Sequence, residues 1–195
     1  MTQHYFTSNP QSAHDERAIQ VELAGVRADF CTDAGVFSRD GLDFGSRLLI
    51  ETVYPLLHGR VLDMGCGWGA IGVLLARLCP DAQITMADIN ERAVALAARN
   101  ARQNGVSAET LVSDGYENIA PSFDAIVTNP PIRAGKQTVY RILDEAKTRL
   151  APGGRLFLVI RKEQGAPSAQ THLQGVYSRV ELLARKKGYW ILACE

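Results

Sequence analysis

Apolar and polar positions along the chain follow two periods. In the N-terminal part, IQVEL (19–23) and VRADFC (26–31) alternate apolar with polar residues on either side of Ala24-Gly25. That pattern predicts a β-hairpin. From residue 42 the pattern changes to short apolar runs alternating with stretches whose apolar residues recur at helical spacing. LDFGSRLLIETVYPLL (42–57) predicts a helix with Ser46 as its N-cap. The strand RVLDM (60–64) leads through glycines into the helix AIGVLLARLC (70–79). The strand AQITMADI (82–89) leads into NERAVALAARNARQNG (90–105), a helix capped by Asn90 and stopped at Gly105. AETLVSD (108–114) and FDAIVTN (123–129) read as strands, TVYRILDEAKTRLAPGG (138–154) as a helix ended by Pro and Gly, and RLFLVIRK (155–162) as a strand. SRVELLARKKGYWILACE (178–195) reads as an antiparallel pair turning near RKKG.

Strand–helix alternation predicts an α/β fold: a mostly parallel sheet with helices on both faces. The expected organisation is one domain over residues 1–195, with a hairpin extension over 1–40 and a core over 41–195. A chain of 195 residues is long enough for one well-buried core and short for two. Lys plus Arg and Asp plus Glu are 21 each, so net charge points to no partner and any nucleic-acid surface must come from local clustering. Cys31, Cys66, Cys79 and Cys194 form no CxxC pair. This argues against a zinc site or a disulfide framework and fits a reducing cytosol. No signal pattern opens the sequence and no run approaches the length of a membrane span, so a cytoplasmic protein is expected.

In a parallel sheet, ligands bind beyond the carboxyl ends of the strands, which directs attention to the residues there. Asp63 ends the first core strand, and Gly65, Gly67 and Gly69 follow before the helix. Glycines permit a tight turn and let a ligand approach the backbone closely. Gly65, Gly67 and Ala70 also satisfy GxGxxA, so a dinucleotide site and a ligand-free tight turn stay open at this point. Asp88, at the end of the next strand, stands where a carboxylate accepts from both hydroxyls of a ribose; the bland alternative is an acid near a helix start. Asp114-Gly115 suits an acceptor for an adenine amine and equally suits ordinary turn chemistry. Cys66 lies just before a helix, where a thiol pKa can fall, but reads as a small loop residue.

VTNPPIRAGK (127–136) carries the sharpest chemistry. Pro130 disfavours the α region at Asn129, and both prolines fix φ while offering no N–H. The result is a stiff, acceptor-rich apex in which the Asn129 oxygen and the Pro130 carbonyl suit a guest NH₂ group. Ile132 follows the prolines where an aromatic would stack on a base, so Phe37 is a candidate to supply a ring, against a core role under the hairpin. Arg133, Lys136, Arg161 and Lys162 follow strand ends and form a candidate phosphate-binding rim, with Arg185, Lys186 and Lys187 expected farther away. His4, His14, His58 and His172 fall in no strand-end loop and read as surface residues.

VLDMGCGWGAIG, ADIN, SDG and NPPI, in this order, resemble the class I S-adenosylmethionine-dependent methyltransferases, specifically those that methylate an exocyclic or amide nitrogen. GVFSRDGLDFGSRLLIE, TNPPIRAGK and RKEQGAPSA resemble more closely the small-subunit ribosomal RNA guanine-N2 methyltransferases, the methyltransferase small domain family, in its compact single-domain branch. The likeness runs from about His4 to the end. It implies a Rossmann-like sheet of seven strands with an antiparallel C-terminal strand. It implies S-adenosyl-L-methionine held by Asp63, Gly65, Cys66, Gly67, Gly69, Asp88, Ile89, Asp114, Gly115 and Asn129, and catalysis at Asn129, Pro130, Pro131 and Ile132. Ribosomal RNA or the small ribosomal subunit is the implied partner, with Phe37, Arg133, Lys136, Arg161 and Lys162 facing it and no metal required. A glutamine amide or an adenine amine presents the same NH₂ group, and a noncatalytic binding module stays a third reading.

Overall fold

The computed structural model describes residues 13–120 and 122–195. Strands β1 (Arg17–Leu23) and β2 (Val26–Thr32) form the N-terminal hairpin, turning at Ala24 and Gly25 with φ of 48° and 81°. Positive φ at both turn positions matches the right-handed twist of the flanking strands. The order then runs α1 (Phe44–Val53), β3 (Arg60–Met64), α2 (Ala70–Leu78), β4 (Gln83–Asp88), α3 (Glu91–Gln103), β5 (Ala108–Val112), β6 (Phe123–Thr128), α4 (Lys136–Ala146), β7 (Leu150–Arg161), α5 (Ala166–Gln174), β8 (Val180–Lys186) and β9 (Tyr189–Cys194).

The seven-stranded sheet has the order β5-β4-β3-β6-β7-β9-β8. Only β9 runs against its neighbours. The order reverses beside β3, which puts the switch point between β3 and β6. Strands buried on both faces read as apolar runs, and two apolar clusters flank the sheet. One packs α1, α2, α3 and the hairpin on one face of the strands; the other packs α4 and α5 on the opposite face. This is the expected Rossmann-like architecture with its N-terminal hairpin.

Three local expectations change. The N-cap of α1 is Asp43 and not Ser46: Asp43 Oδ1 accepts from the N–H groups of Gly45 (2.9 Å) and Ser46 (3.1 Å). Helix α1 also stops early, because Pro55 brings no N–H to continue it and Tyr54–Leu56 tighten into a 3₁₀ turn. Helix α4 ends at Ala146, well before Pro152-Gly153, since Leu150 already pairs with Phe123 and an irregularity in that ladder takes up the intervening residues.

The hairpin is fastened to the core by two asparagines one helical turn apart, Asn100 on α3 and Asn104 at its C-cap. Asn100 accepts from Cys31 N–H (2.8 Å) and donates to Cys31 C=O (2.9 Å) and to Trp68 C=O (2.7 Å). Asn104 accepts from Asp29 N–H (3.0 Å) and donates to Asp29 C=O (2.7 Å). The pair lies along β2 as another strand would. Asn100 is fully buried, so Asn100→Leu strands a donor and two acceptors. Each unpaired buried group costs about 1–3 kcal/mol, so a loss of at least about 3 kcal/mol is expected in a urea melt, against less than about 1 kcal/mol for an exposed control such as Arg102→Ala.

Candidate active site

A cavity of about 270 Å³ opens beyond the carboxyl ends of β3, β4 and β6, at the switch point of the sheet. Its floor is the glycine loop after β3. Gly65 and Cys66 donate their N–H groups to Ala87 C=O at 2.8 and 3.0 Å, which ties the loop to β4. Gly65 and Gly67 have φ of 73° and 54° and line the cavity, and a Cβ on either meets no atom within 4 Å. They present backbone to open space, as a nucleoside-sized guest requires. Gly69 acts differently. It starts α2 away from the cavity, and a Cβ there would fall 2.9 Å from Ala97 Cα, so it serves the packing of α2 on α3.

The three strand-end acids occupy different settings. Asp63 is fully buried and lies behind the cavity wall. Its Oδ2 accepts from Gly72 N–H at 2.8 Å, while Oδ1 has no partner among the described residues. Burial first, and then the nearby Asp88, push its carboxyl up to about 7 against the Gly72 hydrogen bond. Asp88 lines the cavity, with Oδ2 accepting from Gly67 N–H and Oδ1 from Asn90 N–H, both at 2.9 Å. Burial raises its carboxyl too, opposed by hydrogen bonds from Asn90, Gly67 and Ile89. The carboxylate keeps acceptor capacity for a guest. Asp114 and Gly115 line the far end, where Arg141 pairs with the Asp114 carboxylate. Ile89 lines the wall beside Asp88. Cys66 is buried, and burial drives its thiol well above the ordinary value, which reverses the lowering expected from its place before a helix.

Asn129, Pro130, Pro131 and Ile132 line the other half of the cavity. Asn129 Nδ2 donates to Ser46 Oγ at 3.0 Å, so Ser46, expected as a cap, instead engages the amide nitrogen and leaves the amide oxygen for the cavity. Pro131 has φ −75° and ψ 78°, and Ile132 N–H donates to Pro130 C=O at 2.8 Å. This is an inverse γ-turn. The Pro130 carbonyl, expected to face the cavity unencumbered, thus has one lone pair engaged and one available.

Phe37 is 40% exposed and lines the cavity, so it is no core residue. Of the four expected rim cations, only Arg133 lines it. Lys136 lies over the Tyr140 ring (5.0 Å), Arg161 pairs with Glu163 (3.1 Å) and Lys162 lies outside the lining. None of Arg185, Lys186 and Lys187, expected farther away, lines the cavity, but Tyr189 just beyond them does, and Lys187 Nζ lies over Phe44 at 4.9 Å. Asp43, Arg141, Gln164 and Tyr189 also line the cavity and escaped the sequence reading. Only Asp43 carried a local signal, an acid three residues before a helical serine. None of His14, His58 and His172 lines the cavity, and His4 lies outside the described residues. Among the described residues no group of three or more His, Cys, Asp or Glu is placed to hold a metal, and no helix is long and apolar enough to cross a membrane.

This fold, with a glycine loop at the switch point and an acid after the next strand, defines the class: Rossmann-like S-adenosylmethionine-dependent methyltransferases. Residues 27–193 match the methyltransferase small domain family, and the chain belongs to it. It is 42% identical over 196 residues to the uncharacterized protein YbxB of Bacillus subtilis, covering 98% of both chains. It is 43% identical over 129 residues to ribosomal RNA small subunit methyltransferase C of Pasteurella multocida, which spans 64% of this chain and 39% of that one. The structure of a T. thermophilus 16S rRNA N2 methyltransferase, RsmC, with AdoMet and guanosine superposes with a TM-score of 0.83 at 28% identity, over 95% of this chain and 52% of that one. The chain therefore spans about half or less of these two named methyltransferases.

Asp63 provides a pH test. Its carboxyl is raised in the folded state from the ordinary 3.8 to about 7, so between these values the folded state holds the extra proton. Stability then falls as pH rises through that window and levels off above it. In Asp63→Asn this contribution disappears. The stability difference between native and variant protein, from urea melts at pH 5 and pH 7.5, is expected to shift in favour of the variant at the higher pH; a pH-independent difference contradicts the buried-acid assignment.

Proposed function

We propose that this chain transfers a methyl group from S-adenosyl-L-methionine to the exocyclic 2-amino group of guanine in small-subunit ribosomal RNA, in the cytoplasm. One observation carries the reading. The Asn129 amide nitrogen is engaged by Ser46, so its oxygen is left as an acceptor beside the Pro130 carbonyl, with the glycine loop across the same cavity. The RNA target is supported by likeness to the two named ribosomal RNA methyltransferases.

The cavity fits the cofactor on its own chemistry. Gly65 and Gly67 admit a ligand to the backbone, Asp88 has acceptor capacity for ribose hydroxyls, Ile89 offers an apolar wall, and Asp114-Gly115 closes the end suited to a base. When bound, S-adenosyl-L-methionine supplies an electrophilic methyl group, so no nucleophilic side chain is needed. The protein must instead hold the amine, remove its water and aim its lone pair. A ring amine is a weak nucleophile because its lone pair is delocalised. The Asn129 oxygen and the free lone pair of Pro130 C=O accept its two hydrogens and favour a pyramidal nitrogen. The γ-turn at Pro131 sets where that carbonyl points, so little reorganisation is left for the reaction itself. We assign the proton lost after transfer to water. The hairpin extension and the core act as one unit in this reading, since Val36 and Phe37 complete the cavity wall.

Two measurements test it. Labelled methyl groups offered with fractionated ribosomal subunits, RNA, DNA and protein should enter small-subunit RNA and appear on nucleoside analysis as N2-methylguanosine; label in glutamine or adenine overturns the guanine assignment. Asn129→Ala should melt within a few degrees of the native protein and bind S-adenosylhomocysteine nearly as tightly, since any contact of Asn129 to the methionine moiety is secondary, yet transfer methyl in a single turnover about a hundredfold more slowly, the scale for removing one preorganised polar group. A native rate in the folded variant rules out Asn129 as the holder of the amine.

A further inference from the structure

Asp43 is the acid in the cavity that neither the glycine loop nor the Asn129 apex explains. Its Oδ1 is committed to the start of α1 by two N–H groups, those of Gly45 and Ser46. Its Oδ2 makes no hydrogen bond among the described residues, and the residue lines the cavity. Ser46 ties this carboxylate to the apex: its N–H donates to Asp43 Oδ1 and its Oγ accepts from Asn129 Nδ2. Ser46 itself is buried, so the acid and the amide are keyed to one fixed residue. Tyr189 borders the same spot. A Cβ on Gly45 would fall 2.8 Å from Tyr189 Cε1 and 3.1 Å from Asp43 Oδ1, so ring and carboxylate meet across a glycine that leaves room for both. Phe44 supports the ring from behind, at 5.6 Å between centroids.

We infer that Asp43 is the specificity-determining residue of the methyl-transfer site, its free carboxylate oxygen accepting the N1–H of the guanine whose 2-amino group Asn129 and Pro130 hold. The inference rests on the guanine reading proposed above and deepens it. Guanine presents N1–H and the 2-amino group side by side, three hydrogens on one edge. The site presents acceptors on Asn129, Pro130 and Asp43. Adenine sets its amino group beside a bare N1 acceptor, and a primary amide sets its NH₂ beside a carbonyl oxygen. Either would turn a lone pair toward the Asp43 carboxylate. A site built to hydrogen-bond one edge rejects a guest that leaves its polar groups unpaired. Tyr189 brings a ring to the cavity wall where Ile132 offers none, and contact with a ring tolerates any base, so the discrimination falls to the edge.

The test uses Asp43→Asn. Asn caps a helix about as well as Asp, so the cap oxygen stays with Gly45 and Ser46 and the new NH₂ takes the place of Oδ2. Oligoribonucleotides carry the sequence around the modified nucleotide, mapped by mass spectrometry of labelled small-subunit RNA, with either guanine or 2-aminopurine at that position. 2-Aminopurine keeps the 2-amino group but has an acceptor at N1. In single turnovers the variant should lose tenfold or more on guanine, and its rate ratio of 2-aminopurine to guanine should rise at least tenfold over the native ratio, with S-adenosylhomocysteine affinity and melting temperature unchanged. If Asp43→Asn does not fold, Asp43→Ser, which caps through its hydroxyl, should lose guanine transfer and gain nothing on 2-aminopurine. An unchanged ratio in a protein that methylates guanine overturns the role of Asp43 alone. Label on adenine or on an amide in the native protein overturns the guanine reading itself, and the Asp43 assignment with it.

Discussion

The three hydrogen bonds of one buried amide hold the active-site wall in place. Asn100 grips both main-chain groups of Cys31 on β2 and, with its remaining N–H, the carbonyl of Trp68 in the glycine loop. Trp68 in turn donates its indole N–H to Phe37 C=O at 2.9 Å and meets the Phe30 ring edge-on at 4.9 Å between centroids. Asn90 and Arg92, at the start of α3, donate to Gly35 C=O (3.0 Å) and Ala34 C=O (2.8 Å). The segment that brings Val36 and Phe37 to the cavity therefore hangs from donors on the glycine loop and on α3, the elements that also flank Asp88. The glycine-loop floor and the Val36–Phe37 wall thus share their supports, while the Asn129 apex is held separately by Ser46.

The carboxylates around the site divide by what their second oxygen does. In Asp63 it is buried without a partner, which raises the proton affinity of the group. In Asp88 both oxygens take backbone N–H groups, from Gly67, Ile89 and Asn90, so the charge is spread into the loop and into the start of α3. In Asp43 one oxygen takes both N–H groups and the other is left over. The same functional group thus becomes a buried load, a brace or a free acceptor according to the number and placement of nearby amides. Residue type alone does not reveal which.

What could be read from the sequence follows from that distinction. Gly65, Asp88, Asp114 and Asn129 all follow parallel strands, and a parallel sheet brings the carboxyl ends of its strands to one side whatever the intervening lengths. Strand periodicity was therefore enough to gather them. Asp43 and Tyr189 reach the cavity through the packing of α1 against the β8–β9 turn, a long-range contact that no local pattern encodes. The expected rim of cations is spread out for a related reason: Arg161 lies over Tyr189 at 5.7 Å while pairing with Glu163, Lys136 lies over Tyr140, and partner choice among exposed charges is set by neighbours in space. The γ-turn at Pro131 was invisible too, since fixing φ at a proline leaves ψ to the surroundings.

Strand β9 is the last in the sequence yet lies inside the sheet, paired with β7 on one side and β8 on the other. Strand β8, made earlier, has no place to dock until β9 arrives to bridge it to β7. As the chain leaves the ribosome, the glycine loop and the Asn129 apex are available well before Tyr189, which opens β9 and closes the cavity on the side of α1. The half of the cavity built from β3, β4 and β6 rests on local strand–helix units, while the Tyr189 side depends on pairing an interior strand of high sequence separation. One interior strand thus both anchors the sheet edge and carries a ring to the cavity.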